Sequence, residues 1–415
     1  MLPENREVGA LHQGLVDQLK SNGYLSSASV EAAFRAVPRH LFLPDVALEE
    51  VYRDQAIVTK SLHGQFVSSS SQPAIMAIML EQLQLQPGQR VLEIGAGTGY
   101  NAALMAHIVG EAGQVVTIDI DEDIVEGART HLAAAGFERV HVVCTDGGLG
   151  YPEAAPYDRV ILTVNAADIT PSWRAQLKPD GRLLLPLLLR GPQASIAFAP
   201  VGDHMESLSV NACGFMGLRG AFAEADSVLQ LHPEPGALTL RLGTARVLDA
   251  RTLYELLQSP AQDFPLPIQV SPRVLFSGLS FWLALRDPLF GTLSASGPLA
   301  QQRVIPELFS FSGKIYSMST GGLFSDDAIS VLMRVSSPLE PGAPPDAFGL
   351  AVRSFGPAAD LAERLIDAVM AWDAAGRPGE RQLHVSAYPH EQHHPLGAAD
   401  VVISKRWTDF VCSWT

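Results

Sequence analysis

Residues 90–94 of this chain, Arg-Val-Leu-Glu-Ile, run directly into Gly95-Ala96-Gly97-Thr98-Gly99, and an apolar helical pattern over 101–109 follows at once. A short apolar run, three glycines at alternate positions and a helix leave few folds open. Glycine accepts left-handed backbone that other residues resist, so the chain can turn sharply where the strand ends. The missing side chains also let a ligand approach the main chain, close to the first amides of the next helix. In open α/β sheets such units stand at the carboxyl ends of parallel strands, where ligands bind. The spacing is G-x-G-x-G, which differs from the G-x-G-x-x-G of pyrophosphate-binding turns. A second strand, predicted over 114–119, ends in Asp119 about 20 residues past the turn, where a carboxylate can accept from both hydroxyls of a ribose.

The surrounding pattern extends this unit. Apolar runs at 139–144, 158–164 and 181–187 read as strands, with helical patterns at 121–135 and 171–177 between them. Alternation of this kind implies a mainly parallel, doubly wound sheet. Upstream, Leu11, Leu15, Val16 and Leu19 recur at helical spacing up to Asn22-Gly23, and Val30, Phe34 and Val37 form a second stripe ended by Pro38. A chain of 415 residues exceeds one ordinary domain. Residues 191–240 are less regular, and Pro233 and Pro235 mark a boundary there. The expected division is 1–240, the α/β part, and 241–415, an α+β domain. In the latter, 245–257 and 358–372 read as helices, whereas 274–285, 314–319, 328–335, 382–387 and 410–414 read as strands. Four prolines within 338–345 mark a loop.

Composition narrows the function classes. A formal net charge of −15 disfavours a sequence-independent grip on nucleic-acid phosphates. Cys144, Cys213 and Cys412 are too far apart for metal-ligand spacing and read as reduced, buried thiols. The apolar run at 183–189 is far too short to span a bilayer, so no membrane partner is expected and the protein reads as soluble and cytoplasmic. His390, Glu391, His393 and His394 lie among prolines and read as a solvated loop, so no metal is expected. His40 reads as a structural hydrogen-bonding residue, and Trp372, Trp407 and Trp414 as core or interface aromatics.

The glycine turn resembles motif I of class I S-adenosyl-L-methionine-dependent methyltransferases. Around it stand Val37-Pro38-Arg39-His40-Leu41-Phe42-Leu43-Pro44, Tyr52-Arg53-Asp54, Ser71-Gln72-Pro73 and Leu85-Gln86-Pro87-Gly88. Asp146-Gly147-Gly148-Leu149-Gly150, Ala155-Pro156-Tyr157-Asp158 and Gln176-Leu177-Lys178-Pro179-Asp180-Gly181-Arg182 follow. In this order the pieces resemble the protein-L-isoaspartate O-methyltransferase family over about 150 residues. The resemblance implies a Rossmann-like doubly wound sheet and S-adenosyl-L-methionine as cofactor. It places Glu93, Gly95, Ala96, Gly97 and Gly99 by the methionine part, Asp119 and Ile120 by the ribose, and Asp146 and Gly147 by the adenine. Ser71 takes the active-site serine role, beside both cofactor and acceptor, with Val67, Ser69 and Ser70 on the substrate side. Taken alone, Ser71-Gln72-Pro73 reads as a helix start, its hydroxyl capping free amides.

Departures from the family concern the acceptor. Ser69-Ser70-Ser71 stands where repair enzymes carry Thr-Ile-Ser, Ile57-Val58-Thr59-Lys60 replaces a Leu-Pro-Ile run, and 163–168 replaces an alanine-rich run ending in proline. The chain also continues about 200 residues past the repair-enzyme length. That longer form, with Cys213-Gly214-Phe215-Met216-Gly217-Leu218-Arg219-Gly220, Lys405-Arg406-Trp407 and Ser413-Trp414, resembles homologues associated with ribosomally made, modified peptides. These methylate an aspartyl carboxylate, after which the next backbone amide expels methanol and closes an aspartimide. The expected partner is therefore a peptide or protein bearing aspartate or isoaspartate, including a ribosomally made precursor. General repair, small-molecule methylation and a non-catalytic cofactor-binding scaffold stand as alternatives. The extra domain is expected beside the strand-end face of the sheet, helping to form the peptide groove.

Overall fold

The computed structural model describes the chain except residues 1–2, 63–64, 224–227, 235, 313–314, 339–340, 358, 391, 393–394, 398–399 and 415. Among the described residues its centre is a ten-stranded sheet. From edge to edge the strands are Val401–Ser404, Thr408–Trp414, Leu383–Pro389, His204–Cys213, Gln193–Val201, Leu177–Leu188, Tyr157–Leu162, Arg90–Ile94, Gln114–Asp119 and His141–Cys144. The last five run parallel to one another, and the others are antiparallel.

The unbroken apolar runs that mark the parallel strands follow from burial on both faces. Val91, Val115, Ile161 and Leu184 enter one core, while their neighbours Leu92, Val116, Val160 and Leu183 enter the other. Helices Pro3–Ser21, Ala28–Ala36, Pro73–Leu83 and Tyr100–Val109 cover the first face through residues such as Leu15, Phe34, Met79 and Leu104. Trp173 fills the second core together with Phe281 and Leu285, which come from far downstream.

A second sheet holds the strands Val228–Gln230, Leu238–Leu242, Phe290–Ser296, Ser317–Phe324, Ile329–Val335, Phe348–Phe355 and Ala261–Val270 in that order, with Phe309–Phe311 beside Ser317–Phe324. All its pairings are antiparallel. Helices Ala250–Leu257 and Ala359–Ala374 pack on it, in keeping with an α+β addition.

Several expectations change. Residues 191–240 include two strands of 9 and 10 residues, whose small buried Ala194 and Ala197 give little hydrophobic signal. Residues 274–285 are helical: Pro272 starts a helix, the Ser271 hydroxyl accepts from the Val274 amide at 3.4 Å, and the apolar run continues through a π turn, Leu275–Leu279, into Ser280–Arg286. The chain also does not divide once at residue 240. Strands from Val228 to Phe355 build the second sheet, and the segment from Leu383 to Trp414 returns to the first. Lys314 and Ala358, where a strand and a helix were expected to begin, lie outside the described residues. Cys213 and Cys412 are buried free thiols as expected, whereas Cys144 is exposed at a strand end. No described helix is long and apolar enough to cross a membrane.

Leu383, Val385, Ile403, Phe410 and Val411 of the returning segment are all buried. At about 1.5–3 kcal/mol for each such side chain, their sum rivals the roughly 5–15 kcal/mol net stability of a whole domain. Deleting residues 383–415 is therefore expected to abolish cooperative unfolding of the ten-stranded sheet. A truncated protein whose calorimetric transition keeps the wild-type midpoint would contradict this.

Candidate active site

Three left-handed glycines shape the turn after Arg90–Ile94, with φ of +102° at Gly95, +50° at Gly97 and +87° at Gly99. A methyl group at Gly95 would sit 2.6 Å from Thr163 Oγ1, and one at Gly99 would press on Leu132 at 3.1 Å. The amides of Gly95 and Ala96 donate to the Ile118 carbonyl at 2.8 and 3.0 Å, which ties the turn to the neighbouring strand. The turn opens onto a cavity of about 740 Å³, a size suited to a small-molecule site. Val67, Ser69, Ser70, Ser71, Glu93, Gly95, Ala96, Gly97, Asp119, Ile120 and Gly147 all line it. Gly99 and Asp146 do not. Gly99 starts the helix Tyr100–Val109 against Leu132, behind the wall. Asp146 accepts from the amides of Gly148 at 2.9 Å and Ala221 at 2.7 Å, so its carboxylate braces two loops.

The carboxylates on the wall differ in kind. Glu93 is fully buried; Asn101 Nδ2 donates to it at 2.7 Å and Thr117 Oγ1 at 2.6 Å. Burial outweighs those donors and pushes its pKa up to about 7. Asp119 accepts from the amides of Gly97 at 3.2 Å, Ile120 at 2.9 Å and Asp121 at 3.4 Å, so it braces the glycine turn from the adjacent strand. Burial raises its pKa, against these amides and Arg219, whose guanidinium lies 4.0 Å away. Arg219 grips Asp121 with two nitrogens at 3.1 and 2.8 Å, and Lys60 reaches Asp121 at 2.8 Å and Asp123 at 2.6 Å. Two segments distant in sequence thus meet on one aspartate at the rim.

The serine run is the outgoing strand Gln65–Ser70 of a hairpin whose other strand is Ile57–Leu62. Arg39 holds its end in place and is completely buried. Its guanidinium donates to the carbonyls of Val51 at 2.8 Å, Arg53 and Gln55 at 3.2 Å, and Ser71 at 3.0 Å, with Ser70 Oγ at 3.4 Å. The helix start then reads differently than the sequence suggested. Asp54, not Ser71, caps Pro73–Leu83: Asp54 Oδ1 accepts from the Ala74 amide at 2.8 Å and Oδ2 from Gln72 Nε2 at 3.0 Å. A carboxylate already sits at the positive end of this helix, which leaves Ser71 on the cavity wall with its hydroxyl outside the cap.

The segment Cys213 to Arg219 forms a further part of the lining. Gln193 clasps Phe215, accepting from its amide at 2.7 Å and donating to its carbonyl at 3.2 Å. Asn165 donates from Nδ2 to the Phe215 carbonyl at 2.8 Å and from its amide to the Met216 carbonyl at 2.7 Å. Phe276, on the π turn of the second part of the chain, completes the lining. Sequence reasoning assigned no role to Arg39, Asn165, Gln193 or Phe276. Asn165 stands in one of the departing segments, and that was the available signal.

Other candidates lie apart from this cavity. His40 Nδ1 meets the Tyr52 hydroxyl at 2.6 Å, a structural pair. His390 lies 3.1 Å from Asp409, while Glu391, His393 and His394 lie outside the described residues. Among the described residues no three His, Cys, Asp or Glu side chains are grouped to hold a metal.

The family model described as protein-L-isoaspartate(D-aspartate) O-methyltransferase matches residues 10–220. The chain belongs to the protein-L-isoaspartate O-methyltransferase family. It is 40% identical over 228 residues to the protein-L-isoaspartate O-methyltransferase of Hyperthermus butylicus, covering 52% of this chain and 92% of that protein. It is also 40% identical over 191 residues to the enzyme of the same name from Methanopyrus kandleri, covering 45% of this chain and 81% of that one. A solved protein-L-isoaspartate O-methyltransferase structure aligns over 90% of this chain and 96% of its own, at 25% identity and a TM-score of 0.49. As a member of the protein-L-isoaspartate O-methyltransferase family the chain is an enzyme, and S-adenosyl-L-methionine is the family's methyl donor. The match to the family ends at residue 220, just past the Cys213 to Arg219 wall.

Glu93 carries a pH dependence whose sign is fixed. In the fold its carboxyl holds a proton up to about pH 7, against a reference of 4.5. The stabilisation from the neutral form is present below pH 4.5 and is lost as the pH rises through 7. Glu93→Gln should remove this loss, so the stability of the wild type relative to the variant should fall by about 3 kcal/mol between pH 4.5 and 8. Urea unfolding at both pH values measures it, and parallel curves for the two proteins would assign the titration elsewhere.

Proposed function

We propose that the chain transfers the methyl group of S-adenosyl-L-methionine to the side-chain carboxylate of an isoaspartyl or aspartyl residue in a peptide. The observation that carries the reading is the meeting of two walls in one cavity: the glycine turn with Asp119, and Ser71 with its hydroxyl left out of the helix cap. The residues suit the donor. The glycine turn removes side chains where the methionine part would lie, Asp119 stands where ribose hydroxyls can donate, and Gly147 keeps the adenine end open. Bound there, the sulfonium supplies an electrophilic methyl group.

The chain's own task is then placement. An aspartyl carboxylate is ionised at neutral pH and needs no base to become nucleophilic. The cavity suits that chemistry. Its titratable lining residues are Tyr24, Glu93, Tyr100, Asp119, Cys213 and Arg219. Burial pushes Tyr100 and Cys213 far above neutrality, and Glu93 is engaged by Asn101 and Thr117. Ser71 donates a hydrogen bond to one acceptor oxygen and leaves the other to attack in line, at roughly 3 Å. With the donor bound, the carboxylate would displace a neutral thioether from the methyl carbon, so no residue of the chain would have to move a proton. The apolar walls exclude water that would compete.

Within this reading we favour a dedicated peptide over general repair. The cavity that holds Ser71 is also lined by Phe215, braced by Asn165 from a departing segment, and by Phe276 from beyond the family match, which supports a narrowed acceptor. Methylation of an aspartyl side chain there would be followed by attack of the next backbone amide, loss of methanol and closure to an aspartimide. The 40% identity to proteins named for isoaspartate methylation supports the repair alternative. Labelled cofactor offered with an isoaspartyl peptide and its all-L-aspartyl counterpart separates the two, since methylation of the isoaspartyl form alone favours repair.

Ser71→Ala should lower kcat at least about tenfold and leave affinity for S-adenosylhomocysteine within about twofold, because the lost contact is to the acceptor. Stability should stay within about 0.5 kcal/mol, whereas Asp54→Ala, which removes the cap, should cost about 0.5–2 kcal/mol. Normal turnover by the serine variant would remove Ser71 from the reaction. Asp119→Ala should weaken S-adenosylhomocysteine by about 1.5–3 kcal/mol, and calorimetry showing unchanged affinity would place the ribose elsewhere.

A further inference from the structure

Phe276 is the one described residue on the cavity wall that comes from beyond Arg219. It stands on a π turn, a helix irregularity that often accompanies functional sites. The turn divides one apolar run three ways. Leu275 and Leu279 enter the core under the second sheet, Phe281 and Leu285 of the next turns enter the core of the catalytic sheet, and Phe276 is left half-exposed at the cavity. The turn is itself held: the Ser280 hydroxyl donates to the Leu275 carbonyl at 3.0 Å, and a methyl group at Gly278 would lie 3.1 Å from the Pro378 carbonyl. Phe276 is therefore presented from a packed support.

Phe215 and Met216 line the same cavity, partly exposed, on backbone fixed by Gln193 and Asn165, just past the strand His204–Cys213 that packs on the π turn. Ile75 and Ile78 of the helix after Ser71 also line the cavity. The acidic and basic side chains of the lining are Glu93, Asp119 and Arg219, and each is engaged by the partners described above. The side chains of Phe276, Phe215 and Met216 carry no charge and offer an acceptor apolar surface.

We propose that Phe276, with Phe215 and Met216, selects acceptors in which a bulky apolar residue flanks the residue to be methylated. This rests on the peptide-methyltransferase reading above and sharpens it. A polar flanking group would lose water here without gaining a partner, whereas a Leu or Phe side chain gains contact with the aromatic ring. The selection acts on KM, because a contact with the flanking side chain is made equally before and during methyl transfer.

The test uses the full-length protein and peptide pairs that differ only in Leu or Ser on either side of the modified residue, each in isoaspartyl and aspartyl form. Wild-type enzyme should show a KM about tenfold lower for Leu-flanked peptides. Phe276→Ala should raise that KM about tenfold, with kcat within twofold, and leave the Ser-flanked peptides and S-adenosylhomocysteine affinity unchanged. Phe276→Leu should recover part of the loss, which a purely structural role would not produce. Equal KM values for both peptide classes in the wild type, or equal losses for both in Phe276→Ala, would overturn the selectivity and leave the methyltransferase reading standing. Methylation of none of the peptides would overturn both.

Discussion

One buried guanidinium sets the geometry on which the acceptor side depends. Arg39 lies fully inside the protein; its two terminal nitrogens donate to main-chain carbonyls of Val51, Arg53, Gln55 and Ser71, its Nε has no partner, and no carboxylate among the described residues pairs with it. Removing a cation from water is expensive, and burial depresses its pKa. Such a charge persists only if the carbonyls that solvate it are held in place, and the Arg53 carbonyl is held in turn by the Gln55 amide at 2.9 Å. Arg39 thus joins the loop at 51–55 to the end of the serine strand. Asp54, carried by the same loop, caps the helix Pro73–Leu83, so the cap and the serine hydroxyl take their positions from a single centre. Lysine could not replace it, since one ammonium cannot reach carbonyls spread around a planar fork.

The cofactor side rests on a different device. Gly95 and Gly97 bring main chain up to the cavity, and Asp119 ties that turn to the next strand through the Gly97 amide. The rim beyond is electrostatic. Asp121 is shared by Lys60 of the hairpin and Arg219 of the lining segment that starts at Cys213, which holds its carboxylate below the usual range. Two segments separated by about 160 residues therefore close on one side chain. In a chain of net charge −15, two of its scarce cations are committed to that rim.

What could be read from the sequence follows from how locally each feature is determined. The glycine turn, the acidic strand end and the doubly buried strands are local patterns, and they stand where they were expected. Ser71 could not be separated from a helix cap by sequence, because the competing cap, Asp54, lies 17 residues upstream and meets the helix only in three dimensions. Asp146 matched a motif, yet folding turned its carboxylate onto the Gly148 and Ala221 amides and left Gly147 at the cavity. The run 274–285 was ambiguous because a buried helix and a buried strand are equally apolar. Pro272 after Ser271 was the start signal that decided it. The strands Gln193–Val201 and His204–Cys213 were hidden by alanine and serine, whose small side chains pack tightly but score weakly.

The return of Leu383–Trp414 to the catalytic sheet has a consequence for how the protein is made. About 170 residues lie between Cys213 and Leu383, and a ribosome needs on the order of ten to thirty seconds to add them. Throughout that interval the strand His204–Cys213 is an open edge, and the core holding Leu185, Ile196 and Phe198 lacks Val385 and Phe410. Exposed edges of this kind recruit other chains as readily as their own. The catalytic half, though synthesised first, becomes complete last, so nascent chains in the cell depend on whatever shields that edge until the final strands emerge.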